Sequence, residues 1–171
     1  MSEKTLLSYS HAFLVAADRH ATAAKAAGID GQVDGMMCVI ALQNSVAGAT
    51  KLLGEHHPAV EACLAQTRDL KNVRDMLTHF DEYALGAGRL QKPAVGTDGP
   101  FGWMPMWNSN ETILILARRR GETEATQYEV PIHEALSAVA SVVAAAVNSS
   151  GVEASPLLQR LTGGADQEDR Q

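Results

Sequence analysis

Aromatic side chains are scarce in this sequence: Phe, Tyr and Trp together make up 5% of it. Sheet cores draw heavily on aromatic and β-branched residues, so this scarcity, beside abundant Ala, favours helices. Cysteine is rarer still, with Cys38 and Cys63 alone. They form no Cys-x-x-Cys pair, so neither a zinc ribbon nor a thioredoxin-like motif is encoded. Both sit in apolar, helical context, as expected of buried free thiols in a reducing cytoplasm. Positive charge is also lacking. The net charge is −6, which excludes a globally basic surface and confines any RNA site to a local patch. The longest apolar run, Ala138 to Val147, is too short and too Ala-rich to span a bilayer. The opening MSEKTLLSYSHAF carries no apolar run of the secretory kind. A cytoplasmic chain without membrane contact is expected.

What remains is a chain of 171 residues, 46% hydrophobic and 20% charged, enough for one core. No internal repeat and no second domain is visible. Apolar residues at helical spacing (Leu6, Leu7, Phe13, Leu14, Ala17, Ala21, Ala24) predict a helix over 3–27 that stops at Gly28. A second helix is predicted over 33–54 on Met36, Val39, Ile40 and Leu53, with Gln43, Asn44 and Ser45 interrupting its pattern. A third runs over 58–85, opened by Pro58 and stopped by Gly86-Ala87-Gly88. Prolines and glycines over 89–111 predict a loop. Residues 112–130 read as a β-hairpin turning at Arg120-Gly121-Glu122. A fourth helix follows over 131–148, a short one over 156–161, and a disordered tail over 163–171. The expected fold is therefore all-α: an antiparallel four-helix bundle with a short extra C-terminal helix and a β-hairpin inserted between helices 3 and 4.

The chain is organised around residues 68–85, RDLKNVRDMLTHFDEYAL. On a helical wheel Leu70, Val73, Leu77, Phe80 and Ala84 form an apolar stripe. Arg68, Asn72, Asp75, His79 and Glu82 form the opposite, polar one. Within it stands Arg74-Asp75-Met76-Leu77-Thr78-His79: an Arg, a polar residue, three further positions and a His. This resembles the signature of the HEPN superfamily, an Arg and a His with four to six residues between them, often with Asn, Asp or His directly after the Arg. The resemblance is sharp over about twenty residues and extends elsewhere only to helix order. It implies a single HEPN-like helical domain over 1–162, a homodimer, and metal-independent endoribonuclease activity without cofactor.

In chemistry of that kind the substrate's own 2′-hydroxyl attacks the neighbouring phosphorus. The protein moves protons and holds the charge that builds on the phosphoryl oxygens. His titrates near neutrality and suits the first task. Arg is always charged and its planar fork matches two oxygens. His79 is the expected acid or base and Arg74 the clamp, with Asn72 and Asp75 supporting. On one continuous helix positions 74 and 79 lie about 140° apart. The family's composite site answers this, with two copies of the helix meeting across a dimer cleft lined by two Arg and two His. One toxin subgroup has Tyr two residues after the His. Here that position is Asp81, so tyrosine-modification control is not carried over, and the Asp adds negative charge near any RNA.

Several signals stay open. His79 can also be read as a solvated helix residue. Phe101, Trp103 and Trp107 fit either a lid packed on the core or a platform for stacking bases. Arg118, Arg119 and Arg120 fit a solvated hairpin tip or a phosphate-contacting finger. His11 and His20 lack further ligands at metal spacing, and His56-His57 suits a turn, so no metal site is expected. The leading expectation is an RNA-cutting enzyme, such as a toxin or defence nuclease with an antitoxin or regulatory partner. The alternative is a catalytically inactive HEPN-like dimer that binds a nucleotide or a protein.

Overall fold

The computed structural model describes residues 2–91, 102–108, 111–119 and 121–163. Among the described residues, seven α-helices and three strands follow in the order α1 (Glu3–Ala27), a 3-10 turn (Gly28–Gly31), α2 (Gln32–Leu53), α3 (Pro58–Gln66), α4 (Leu70–Thr78), α5 (Phe80–Ala84), β1 (Gly102–Asn108), β2 (Thr112–Arg118), β3 (Thr126–Pro131), α6 (Ile132–Ser149) and α7 (Pro156–Gly163). The chain is thus mostly helical with a small antiparallel sheet.

Local chemistry sets most of these limits. Ser2 opens α1 by accepting the Thr5 N–H on its hydroxyl, and Glu3 and Lys25 complement the two ends of its dipole. Gly54, at φ +89, closes α2. Pro58 starts α3, and the His57 imidazole caps it by accepting the Ala59 N–H at 3.2 Å. His57 is therefore a helix cap.

α1 and α2 pack side by side and α6 lies against both. Leu14, Ala17, Val39, Leu42, Val139, Val142 and Val143 are fully buried in one continuous core. Small residues allow close approach: the Ser45 hydroxyl donates to the Ser10 carbonyl at 2.8 Å. Other ties are polar. His20 bonds Asp34 of α2 at 2.8 Å, and His11 bonds Ser155, ahead of α7, at 2.7 Å. Both histidines are fasteners between elements. α6 and the α1–α2 run are long and apolar enough to match a membrane span by length and composition. About half of the most apolar 18-residue stretch of each, 56% and 50%, is buried inside the fold, as in core helices.

The predicted third helix is three helices in the structure. α3 ends at Thr67, whose hydroxyl bonds the Cys63 carbonyl at 2.8 Å. The Asp69 carboxylate, placed to cap α4, instead accepts the Glu129 N–H of β3 at 3.0 Å. The second break falls on His79, at φ −117 and ψ 39. Leu70, Val73 and Leu77 are buried as the apolar stripe requires, and Met76, which the stripe did not include, is buried with them. Beyond the break the stripe fails: Phe80 is 60% exposed and Tyr83 is the buried residue of α5.

The sheet also differs from expectation, with three strands in the order β1-β2-β3. β1 lies inside the span predicted as loop. Pro105 signals a loop because it has no N–H to give a ladder, yet β1 is an edge strand, where that lack is tolerated. Ile113, Ile115 and Ala117 alternate into the core from the central strand. Side chains cover both edges. Gln32 and Gln91 donate to the Pro105 and Gly102 carbonyls of β1, and Asp69 takes an N–H of β3. Phe101, Arg120, the Trp107 side chain, the residues 92–100 and the tail from 164 lie outside the described residues.

Candidate functional site

The motif residues reach the surface because α4 buries the other side of its wheel. Arg74 and Asp75 are half-buried and form an ion pair, Arg74 Nη1 to Asp75 Oδ1 at 3.1 Å. Neighbours on a helix normally diverge, so the long Arg74 side chain folds back to make this pair. Arg74 Nε is buried and has no hydrogen-bond partner among the described residues.

A further residue, one that the helical wheel did not reveal, joins this pair to Asn72. Arg89, in the turn after α5, places Nη2 at 3.5 Å from Asp75 Oδ2 and donates to Asn72 Oδ1 at 3.1 Å. Each oxygen of one carboxylate therefore faces a different guanidinium. Arg74 and Arg89 against Asp75 leave the cluster one positive charge in excess.

The turn bearing Arg89 is tightly determined. Tyr83 is buried, and its phenol oxygen accepts the Leu90 N–H at 3.3 Å. Gly88 lies on the Tyr83 ring, where an added Cβ would come within 2.5 Å of it. Gln91 is fully buried, accepting the Gly88 N–H at 3.3 Å and donating to the Gly102 carbonyl at 3.2 Å. Burial pushes the Tyr83 phenol up from its ordinary range, while the Leu90 N–H and the Arg89 charge pull it back. Arg119 donates from Nε to the Leu90 carbonyl at 3.3 Å, which brings a further guanidinium to the same turn.

His79 is not joined to Arg74 by any hydrogen bond or ion pair among the described residues. Its imidazole is half exposed and lies 3.7 Å from Glu82. Within one chain the structure therefore brings together Asn72, Arg74, Asp75 and Arg89, and leaves His79 beside them at the helix joint. Among the weaker candidates, Arg118 ends β2 opposite Gly102. Trp103 packs against the core from β1, with its indole N–H buried and without a described partner. No group of three or more His, Cys, Asp and Glu residues with metal-site geometry occurs among the described residues. Cys38 and Cys63 are free and buried. Burial pushes the Cys38 thiol up to about 12.

A cavity of about 620 Å³ lies elsewhere, between α1, α6 and α7. Two ion pairs line it, Lys25 with Glu111 at 3.0 Å and Arg160 with Asp18 at 2.8 Å. No motif residue lines it, and its charges are largely satisfied by one another. We place the candidate site at the arginine cluster, where charge is in excess.

Compared with protein-family models, curated proteins and solved structures, the chain matches none significantly.

Proposed function

We propose that this chain is a HEPN-type, metal-independent endoribonuclease, acting in the cytoplasm as a homodimer and serving as a toxin or defence nuclease. In this reading the helices form the four-helix bundle of that superfamily, with the sheet and α7 as additions. Two copies of α4 face each other across the two-fold axis. Arg74 clamps the phosphate and His79 moves the proton, with Asn72 and Asp75 as supporting groups. The observation that supports this most is the chain of polar contacts that runs from Asn72 through Arg89 and Asp75 to Arg74, with His79 exposed at the end of α4.

A second reading has a specific observation in its favour. Asp75 engages both arginines, and Glu82 stands next to His79. A site whose cations already face carboxylates suits a catalytically inactive dimer that binds a nucleotide or a regulatory protein.

Labelled RNA incubated in EDTA with the wild type, His79→Asn and Arg74→Ala separates the two. The enzyme reading expects EDTA-resistant cleavage lost in both variants. Cleavage that persists unchanged in both variants refutes it. Binding without cleavage favours the second reading. Sedimentation at micromolar concentration that finds only monomer refutes the composite cleft.

A further inference from the structure

Asp75 stands where a phosphate would. Its two oxygens form ion pairs with guanidinium groups from two separate elements, Arg74 of α4 at 3.1 Å and Arg89 of the turn before β1 at 3.5 Å. Asn72 receives a further N–H of Arg89 at 3.1 Å and fixes its direction. Two guanidinium groups paired with the two oxygens of one small anion is an arrangement that can also bind a phosphodiester. Arg74 also keeps a buried Nε without a partner among the described residues, so its donor capacity is not exhausted. The Asp75 side chain is 21% exposed, which leaves a route for the carboxylate to move outward.

We propose that Asn72, Arg74 and Arg89 form a binding site for one backbone phosphate of single-stranded RNA, and that Asp75 is its internal competitor. The inference rests on the reading of this face as an RNA site and adds its regulation. In the free chain the carboxylate holds the two arginines in place and lowers their attraction for anions. An incoming phosphate displaces it and takes over both guanidinium groups. The exchange swaps one anion for another, so the interaction is weakened but kept selective for groups that can satisfy two arginines at once. Arg89 is thus a phosphate-binding residue.

The test is fluorescence anisotropy with a short labelled 2′-O-methyl oligoribonucleotide, which lacks the nucleophilic hydroxyl and is not cut. Asp75→Asn keeps the shape and removes the competing charge, and it is expected to bind about tenfold tighter than wild type, equivalent to about 1.4 kcal/mol. Asp75→Ser should change affinity in the same direction. Adding Arg89→Ala to Asp75→Asn should return affinity to the wild-type range and flatten the log–log salt slope by about 0.7, one phosphate contact on a single strand. A merely structural role for Arg89 would leave that slope unchanged. If both Asp75 variants bind no tighter than wild type while Arg74→Ala binds more weakly, the competitor role is wrong and the phosphate site stands. If neither Arg74→Ala nor Arg89→Ala alters binding or its salt dependence, the phosphate site itself is wrong.

Discussion

Gln91 offers the most direct test of how the arginine cluster is held. Its side chain is fully buried and its amide bridges the Gly88 N–H and the Gly102 carbonyl, at 3.3 and 3.2 Å. Gln91→Leu keeps nearly the same volume but strands both groups. An unsatisfied buried polar group costs about 1–3 kcal/mol. Both bonds are long, so the lower half of that range applies to each, about 2–4 kcal/mol together. Gln91→Ala strands the same groups and also opens a cavity, which adds about 2 kcal/mol. Against a total stability of about 5–15 kcal/mol for a domain, the Ala variant approaches unfolding and the Leu variant does not. Urea unfolding followed by far-ultraviolet circular dichroism measures both, with the slope in denaturant unchanged. Gln91→Leu should also weaken oligonucleotide binding, because Arg89 loses its fixed turn. A Leu variant within about 0.5 kcal/mol of wild type would show that water replaces the amide and that the turn is held by other contacts.

Other expectations concern separate parts of the fold. In Gly31→Ala the new Cβ would meet the Ala24 carbonyl oxygen at 2.2 Å. Because that neighbour is backbone, a loss of about 2–3 kcal/mol is expected in denaturant unfolding, and a loss below about 1 would contradict the close approach. Asp69→Ala removes the acceptor for the Glu129 N–H on β3 and should cost about 1 kcal/mol, whereas Asp69→Asn, which keeps an oxygen, should cost less than half of that. The Cys38 thiol, with its ordinary value of 9.0 pushed up to about 12, ionises in the unfolded chain before it does so in the fold. Stability is therefore intact below the unfolded value and falls by about 1.4 kcal/mol per pH unit as pH rises above it towards the folded value. Cys63 and Tyr83, both also raised by burial, act in the same direction. Unfolding free energies that stay flat across that alkaline interval would contradict thiol burial.

The long elements were legible because their periodicity is long. Leu7, Leu14, Ala17 and Ala24 lie inside as the wheel places them, and the Gly54–Pro58 punctuation marks the passage from α2 to α3. The breaks at Thr67 and His79 were not legible, since no Gly or Pro marks either. The first depends on a hydroxyl bond to the Cys63 carbonyl and on Asp69 reaching a strand that the sequence places sixty residues away. A period of 3.6 carries no trace of such a bond. β1 was hidden by its own Pro105, which is harmless only on an edge. Arg89 had no local signal at all. It meets Asn72 and Asp75 from the far side of Gly86 and Gly88, and the fit of Gly88 on the Tyr83 ring, with the Tyr83 and Gln91 hydrogen bonds, turns the chain back towards α4. The motif was visible in the sequence, whereas the company it keeps depends on tertiary contacts.

The joint at His79 bears on how any mutational study of this chain is designed. Its amide still reaches the Asp75 carbonyl and its own carbonyl still receives the Tyr83 amide, so the bend resides in a single pair of torsions. Alanine, the strongest helix former, rewards straightening there, by up to about 0.7 kcal/mol. Loss of activity after alanine scanning at this position would conflate removal of a proton carrier with a swing of everything from α5 onward. Asparagine, which tolerates the same torsions and carries no titrating ring, keeps chemistry and shape apart.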